Sequence, residues 1–296
     1  MGMSNLKLQY ICSINSNFET IYCISIFPSG NIISISDNSI KIYSPSFKII
    51  QNIPNAFVKG RYVSIKDEKN FVTCSWKNIE IWIKKENENK FSLKNIIKNA
   101  HKIMISKIIY CSNGNIISCS YDKTIKIWEE ILNNEYQSIT ILTHLNAVCS
   151  IMLLEDKNYL ISSGEDGNYL WNFNNFENKF SFFGTLGQYS NQLQRFDDNK
   201  FITGGINNNF IIVKINYIMY FENIYEFSSS YVIEDKGIFL ISSNNMIKVY
   251  NINDYTCIQD IKYAHNGKIY GFVQLRKGII ASYGEDNIIN IWYVNS

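Results

Sequence analysis

Three histidines are the residues of this sequence whose type and spacing could do chemistry. An aspartate follows each of them after 21 or 22 residues, giving the pairs His101 and Asp122, His144 and Asp166, and His265 and Asp286. Serines such as Ser118 precede these aspartates, and a Ser-His-Asp set can activate a hydroxyl as a nucleophile. Acyl transfer is therefore the first chemistry that the sequence suggests.

The recurrence of the set argues against a catalytic role. Each histidine also lies 27 residues before a tryptophan, and these tryptophans are Trp128, Trp171 and Trp292. A catalytic site is needed once, whereas a structural unit recurs at a fixed period. We therefore expect each His-Asp-Trp set to hold one loop against its strands through buried hydrogen bonds that stabilise the repeat by roughly a few kcal/mol.

The strand pattern has the same period. Apolar segments rich in β-branched residues alternate with Asn, Asp, Gly and Ser clusters, which indicates an all-β chain. Repeats end near Tyr43, Trp82, Trp128, Trp171, Val213, Tyr250 and Trp292, at separations of 37 to 46 residues. That period leaves room for four short strands and is typical of propeller blades. The sequence predicts one domain over 1–296, a β-propeller with seven four-stranded antiparallel blades.

These sets resemble the WD-repeat β-propeller family, which pairs a loop histidine with a turn aspartate and a strand tryptophan. The resemblance covers essentially the whole chain, but repeats one, two, five and six lack the histidine, and no tryptophan is followed by the family's aspartate. It implies a non-enzymatic scaffold for protein–protein interaction, a subunit of an intracellular assembly. The alternative is a reader of one defined ligand, such as ubiquitin or a modified peptide.

The two ends of the sequence are expected to meet in one sheet. Only four residues follow Trp292, so the last repeat lacks an outer strand of its own. The apolar segment 6–14 can supply that strand and cover an edge that would otherwise be open. We therefore predict that this N-terminal strand pairs with the last blade.

Composition narrows the function classes. The formal net charge is +2, which gives no strong field for nucleic acid. The seven cysteines form no C-x-x-C pair and fit reduced thiols, so we expect a cytoplasmic or nuclear protein. No metal-ligand spacing, phosphate-binding glycine loop or membrane-spanning apolar run occurs. We expect no catalytic residues, cofactor, metal or membrane insertion.

The expected binding surface lies where loops and turns of successive repeats emerge together. Large aromatic and arginine side chains anchor protein interfaces, and the candidates for partner binding are Tyr22, Arg61, Trp76, Tyr121 and Tyr270. Trp76 occupies the position six residues before Trp82 where other repeats carry Asp. Two alternatives stay open: Trp76 could pack back onto a neighbouring blade, and Tyr22 and Tyr270 could line a central channel. The lysine run 84–107 fits a solvated rim or a surface for an acidic partner.

Overall fold

A computed structural model describes the protein over residues 6–15, 19–54, 62–85, 89–174, 179–185, 193–197, 200–204, 210–214, 217–220 and 227–295. The chain divides into two compact units. Unit 1 comprises Met1–Pro54, Asn207–Phe210 and Phe221–Ser296, and unit 2 comprises Asn55–Ile206 and Ile211–Tyr220. The prediction of one domain over 1–296 stays a prediction.

Unit 1 contains three four-stranded antiparallel sheets. The first consists of β2 (Ile21–Ile26), β3 (Ile32–Ser36), β4 (Ser39–Tyr43) and β5 (Ile49–Pro54). The second consists of β22 (Phe227–Ile233), β23 (Ile238–Ser243), β24 (Met246–Asn251) and β25 (Cys257–Ile261). The third has the order β1 (Leu8–Asn15), β28 (Ile288–Val294), β27 (Ile279–Gly284) and β26 (Ile269–Arg276).

Unit 2 contains sheets of the same kind. They are β6 (Val63–Ile65), β7 (Asn70–Ser75), β8 (Asn78–Lys84) and β9 (Phe91–Ile97); β10 (Ile105–Tyr110), β11 (Ile116–Ser120), β12 (Thr124–Glu130) and β13 (Tyr136–Thr143); and β14 (Val148–Leu154), β15 (Tyr159–Gly164), β16 (Gly167–Asn174) and β17 (Lys179–Thr185). The strands β18 (Leu193–Arg195), β19 (Lys200–Gly204), β20 (Phe210–Lys214) and β21 (Tyr217–Tyr220) follow.

Helical structure among the described residues is limited to three 3-10 turns, Leu132–Asn134, Glu155–Lys157 and Glu234–Lys236. No helix in these ranges is long and apolar enough to cross a membrane. The prediction of an all-β propeller built from small antiparallel sheets is therefore confirmed at the level of fold class.

The predicted number of seven complete blades requires correction. Six sheets are described in full register, with every neighbouring pair of strands aligned residue by residue. In the sheet β18–β21 only the two outer pairs have a described register, because residues 205–209 between β19 and β20 lie outside the described ranges. This is the repeat predicted to end near Val213, and it lacks the histidine and tryptophan that anchor a loop to its sheet.

Apolar side chains fill the spaces between neighbouring sheets. In unit 2, Val72 and Ile81 of one sheet pack with Ile105, Ile116 and Trp128 of the next in a single cluster. Both faces of a strand such as β11 are therefore covered, and all five of its residues are buried. This explains why the strand sequences are near-continuous apolar runs instead of strict polar–apolar alternations.

The N-terminal strand lies in the same sheet as the last three strands. β1 pairs antiparallel with β28, with Leu8 opposite Val294 and Ile14 opposite Ile289. The strand begins and ends within two residues of the predicted segment 6–14. Pairing of the two chain ends covers the edge of β28 that would otherwise present unpaired backbone groups.

Candidate functional site

The His101 set forms a chain of buried hydrogen bonds between a loop and two strands. The loop after β9 carries His101, whose Nδ1 lies 3.0 Å from Asp122 Oδ2 in the turn between β11 and β12. His101 Nε2 lies 2.8 Å from Ser118 Oγ of β11, and Trp128 Nε1 of β12 donates to the same hydroxyl over 2.9 Å. One consistent proton arrangement satisfies all three contacts: Trp128 donates to Ser118, Ser118 donates to Nε2, and Nδ1–H donates to the carboxylate.

The electrostatics favour a neutral imidazole beside an ionised carboxylate. Burial lowers the pKa of His101, and the nearby Asp122 charge opposes this only in part. Burial acts to raise the pKa of Asp122, but hydrogen bonds from Thr124, the Lys102 backbone and His101 outweigh it and hold that pKa below its usual value. Asp122 thus remains charged and accepts from several donors at neutral pH.

The same geometry recurs in two further sheets. The Nδ1–carboxylate distances are 2.8 Å for His144 and Asp166 and 2.9 Å for His265 and Asp286. Ser162 and Ser282 take the bridging position, with Trp171 and Trp292 donating to them over 2.7 and 2.8 Å. The three serine hydroxyls belong to fully buried residues. A substrate carbonyl cannot reach such an oxygen without opening the sheet, so the arrangement is suited to holding loops and unsuited to acyl transfer.

Two sheets without the histidine use a carboxylate instead, which sequence reasoning missed. In the first sheet, Glu19 accepts from Ser39 Oγ over 2.6 Å and lies 3.6 Å from Lys41 Nζ. In β8, buried Glu80 accepts from Thr73 Oγ1 over 3.0 Å, and Trp82 Nε1 donates to that hydroxyl over 3.0 Å. The available signal was an acidic residue two positions before Trp82, where three other repeats carry lysine.

Glu80 should make stability depend on pH. Burial raises the pKa of Glu80, and the hydrogen bonds from Thr73 and its neighbours reverse this only in part. A carboxyl whose pKa is raised on folding stabilises the fold below its unfolded pKa and loses that contribution as pH rises through the folded value. We expect Glu80→Gln to gain stability relative to wild type from pH 5 to pH 8, measured as denaturant midpoints. The exposed Glu165→Gln serves as control, and parallel pH curves for wild type and Glu80→Gln would contradict the assignment.

Trp76 is an exposed aromatic side chain at the tip of the turn between β7 and β8. It is 51% exposed, whereas the other four tryptophans are buried. Its backbone has φ 50°, a left-handed conformation that is unfavourable for a bulky residue. Its carbonyl accepts from Ile105 N over 2.7 Å. The alternative that Trp76 packs back onto a neighbouring blade stays a prediction.

Asn244 shows what the same backbone position holds elsewhere. It begins the turn between β23 and β24 with φ 52°, and its carbonyl accepts from Ile269 N over 2.8 Å. Asparagine is among the residues that tolerate this conformation at low cost. A tryptophan at the equivalent position of β7–β8 therefore adds backbone strain and exposed apolar area, and neither contributes to folding.

Tyr121 lies in the neighbouring turn of unit 2, between β11 and β12. Its side chain is 37% exposed, and its N–H donates to Met104 O over 3.1 Å. Two further exposed apolar side chains, Ile103 and Leu145, lie on the adjoining loops at 47% and 75% exposure. Sequence reasoning missed both, although Leu145 directly follows His144, where polar residues follow the other two loop histidines.

The remaining candidates for partner binding divide between unit 1 and undescribed residues. Tyr22 and Tyr270, both partly exposed, stack with their ring centroids 6.0 Å apart, and the Tyr22 hydroxyl donates to Asp37 Oδ1 over 2.8 Å. The structure thus brings these two together. Arg61 lies outside the described residues. Their shared role in partner binding stays a prediction.

The described residues include no metal-binding cluster, and a cavity among them is lined by a buried cysteine. No group of three or more His, Cys, Asp or Glu side chains within them is placed to hold a metal ion. A cavity of about 220 Å³ between the sheets of β10–β13 and β14–β17 is lined by Cys111, Asn115 and Leu153 among others. Burial raises the pKa of Cys111 to about 12, so its thiol is protonated and a poor nucleophile at neutral pH. The expectation that the chain binds no metal or cofactor stays a prediction.

A protein-family comparison identifies one repeat of the chain. The model described as "WD domain, G-beta repeat" matches residues 93–129. This stretch runs from within β9 through the His101 loop to the end region of β12, one residue beyond Trp128. No curated protein matches the chain.

Proposed function

From the WD-repeat propeller family, which the matched repeat and the blade-like sheets support, we propose that this protein is a non-enzymatic scaffold for protein–protein interaction. The observation that carries the proposal is Trp76. An aromatic side chain held in strained backbone at an exposed turn tip costs folding free energy. Such a cost is expected where the side chain serves recognition, since tryptophan is enriched among the residues that dominate protein interfaces.

The His-Asp-Ser-Trp sets support the same proposal. They hold the loops of three sheets through buried polar contacts and leave no exposed nucleophile in those sets. Loops fixed in this way present side chains with little entropy left to lose on binding. The finer proposal is a subunit of an intracellular assembly in the cytosol or nucleus, supported by seven cysteines that are all free thiols.

A test compares proteins that co-purify with the tagged full chain from its native cells, after mild cross-linking. We expect a set of companions with wild type that is lost with Trp76→Asn, because asparagine fits the turn but offers no aromatic anchor. Leu132→Ala is the matched control, since Leu132 is 86% exposed on the connection between β12 and β13. Companions that persist unchanged in Trp76→Asn, or none with wild type, would count against the proposal.

A further inference from the structure

We propose that the exposed side chains of Trp76, Ile103, Tyr121 and Leu145, here called the loop-end patch, bind an acidic peptide segment that carries large apolar side chains. The inference rests on the proposed function and names the chemistry of the partner. All four side chains belong to unit 2, and each is more than a third exposed.

Backbone hydrogen bonds place these four residues at one end of the sheets. The Trp76 carbonyl accepts from Ile105 N, two residues after Ile103, and Tyr121 N donates to Met104 O. Ser120 Oγ, beside Tyr121, also donates to the Ile103 carbonyl over 3.2 Å. The turn before β8, the loop before β10 and the turn before β12 are therefore joined to one another.

Leu145 extends the patch along the same end. His144 N donates to Lys123 O over 2.9 Å, so the loop carrying Leu145 adjoins the turn carrying Tyr121. Leu145 N in turn donates to Asp166 Oδ2 over 2.7 Å. The buried histidine beneath fixes this loop, while the leucine directly after it faces solvent at 75% exposure. The patch is an apolar row on a rigid base, which suits an extended segment.

The charges around the loop-end patch determine which charge on a partner is favoured. Lys77 and Lys102 each lie next to a patch residue in sequence and Lys123 lies two residues after Tyr121, and Lys102 and Lys123 are exposed. Asp122 and Asp166 remain charged, but their carboxylates accept from the loop histidines and backbone N–H groups, and the three lysines outnumber Asp122 on the Trp76–Tyr121 side. Glu165 is also an exposed carboxylate, and it lies at the Leu145 end of the patch. The Trp76–Tyr121 side is thus positive, and carboxylates beside apolar anchors complement it.

The mixture of aliphatic and aromatic side chains in the loop-end patch favours a peptide over nucleic acid as the partner. Ile103 and Leu145 are aliphatic and gain by burial against other apolar side chains. Stacking of nucleic-acid bases uses aromatic faces, and the formal net charge of +2 provides no general attraction to phosphates. An acidic segment with leucine or phenylalanine anchors matches both the apolar row and its lysines.

Trp76 makes the test direct because it is the exposed tryptophan of the five. The probe is a synthetic peptide of Asp and Glu with interspersed Leu and Phe, free of Trp and Tyr, titrated into the full chain. We expect acrylamide quenching of Trp76 to fall and emission to shift to shorter wavelength on binding. A peptide with Lys replacing the acids, and one with Ser replacing the apolar residues, should bind at least roughly tenfold more weakly.

Variants separate the contributions of charge and apolar contact. Lys102→Glu and Lys123→Glu should each lower the affinity for the acidic peptide by roughly tenfold. Added salt should reduce the difference in affinity between each variant and wild type. Lys90→Glu, at an exposed position between β8 and β9, should change nothing. Trp76→Asn removes the fluorescent side chain, so its binding is measured by calorimetry. We expect this variant to bind no acidic peptide.

The outcomes also separate this inference from the proposed function. Equal binding of the acidic and basic peptides, or an unchanged affinity in Lys102→Glu and Trp76→Asn, would overturn the acidic-peptide assignment. If the peptides fail while Trp76→Asn still loses co-purifying proteins, the scaffold role stands and the peptide chemistry is wrong. Concentration-dependent dimerisation that Trp76→Asn abolishes would instead assign the patch to a second copy of the chain.

Discussion

Replacing Asp122 by Ala is expected to lower the free energy of unfolding by about 3 kcal/mol. The carboxylate accepts from His101 Nδ1, Lys102 N and the Thr124 backbone and hydroxyl. Removing it leaves these donors without their acceptor, and each unsatisfied buried group costs about 1–3 kcal/mol. Groups near the turn surface regain water, which limits the total. Chemical denaturation at neutral pH, followed by the buried tryptophans, measures the loss.

Two further variants show whether the cost arises from the network. Asp122→Asn keeps one oxygen acceptor and should fall between wild type and Asp122→Ala. Asp156→Ala removes an exposed carboxylate whose contact is a solvated Arg195 guanidinium, and its unfolding curve should overlay that of wild type. An Asp122→Ala curve that also overlays wild type would show that the His101 set does not stabilise its sheet.

Lowering the pH should reduce the free energy of unfolding through the same His-Asp network. The pKa values of His101 and His144 are lowered by burial, so protonation of either imidazole opposes folding. A histidine whose pKa is lowered on folding contributes stability above its unfolded pKa and loses it as pH falls through the folded value. The carboxylates of Asp122 and Asp166, whose pKa values also lie below the usual range, add to the loss at still lower pH.

The periodic features of the sequence predicted the fold class because they reflect repeated packing. A sheet packed between two others buries both faces, so every repeat needs the same apolar strands, and all but the repeat ending near Val213 end on a comparable aromatic residue. The spacing of His101, Asp122 and Trp128 follows from one loop, one turn and one strand of fixed length. Repeats that lack these anchors, such as β2–β5 and β22–β25, form four-stranded sheets as well, because the apolar strand pattern is present in them too.

The loop-end patch was only partly predictable, for a physical reason. Trp76 attracts attention because it replaces a turn-capping residue, and its position six residues before Trp82 can be counted. Ile103 and Leu145 lie in loops, where no period tells an exposed side chain from a buried one. Their exposure follows from the direction of the loop backbone, which is set by the buried His101 and His144 beneath them.

Glu80 illustrates a related limit of pattern reasoning. A glutamate between two isoleucines on a strand predicts a solvent-facing side chain by alternation, yet this carboxyl is 2% exposed. Four successive residues of β8, from Ile79 to Trp82, are buried, so both faces of the strand are covered and alternation does not apply. Thr73 and Trp82 supply the polar contacts that make its burial tolerable.

Leu8→Ala is expected to lower the free energy of unfolding by about 3 kcal/mol, because Leu8 joins the first strand to the core of the last sheet. Its side chain is buried with Trp292, Val294 and Ile280 in one cluster, and Leu→Ala changes at such positions typically cost about 2–5 kcal/mol. The Gln259 side chain also clamps its backbone: Leu8 N donates to Oε1 over 2.8 Å, and Nε2 donates to Leu8 O over 3.2 Å. Denaturant unfolding measures the loss.

The matched control is Leu132→Ala, which removes the same atoms from an exposed side chain and should leave the midpoint unchanged. Weakening the pairing of β1 should also uncover the edge of β28, and an uncovered edge can pair with another chain. Leu8→Ala should therefore show more high-molecular-weight material on size exclusion after heating than Leu132→Ala does. Equal midpoints for the two variants would mean that β1 contributes little to the stability of the sheet that it completes.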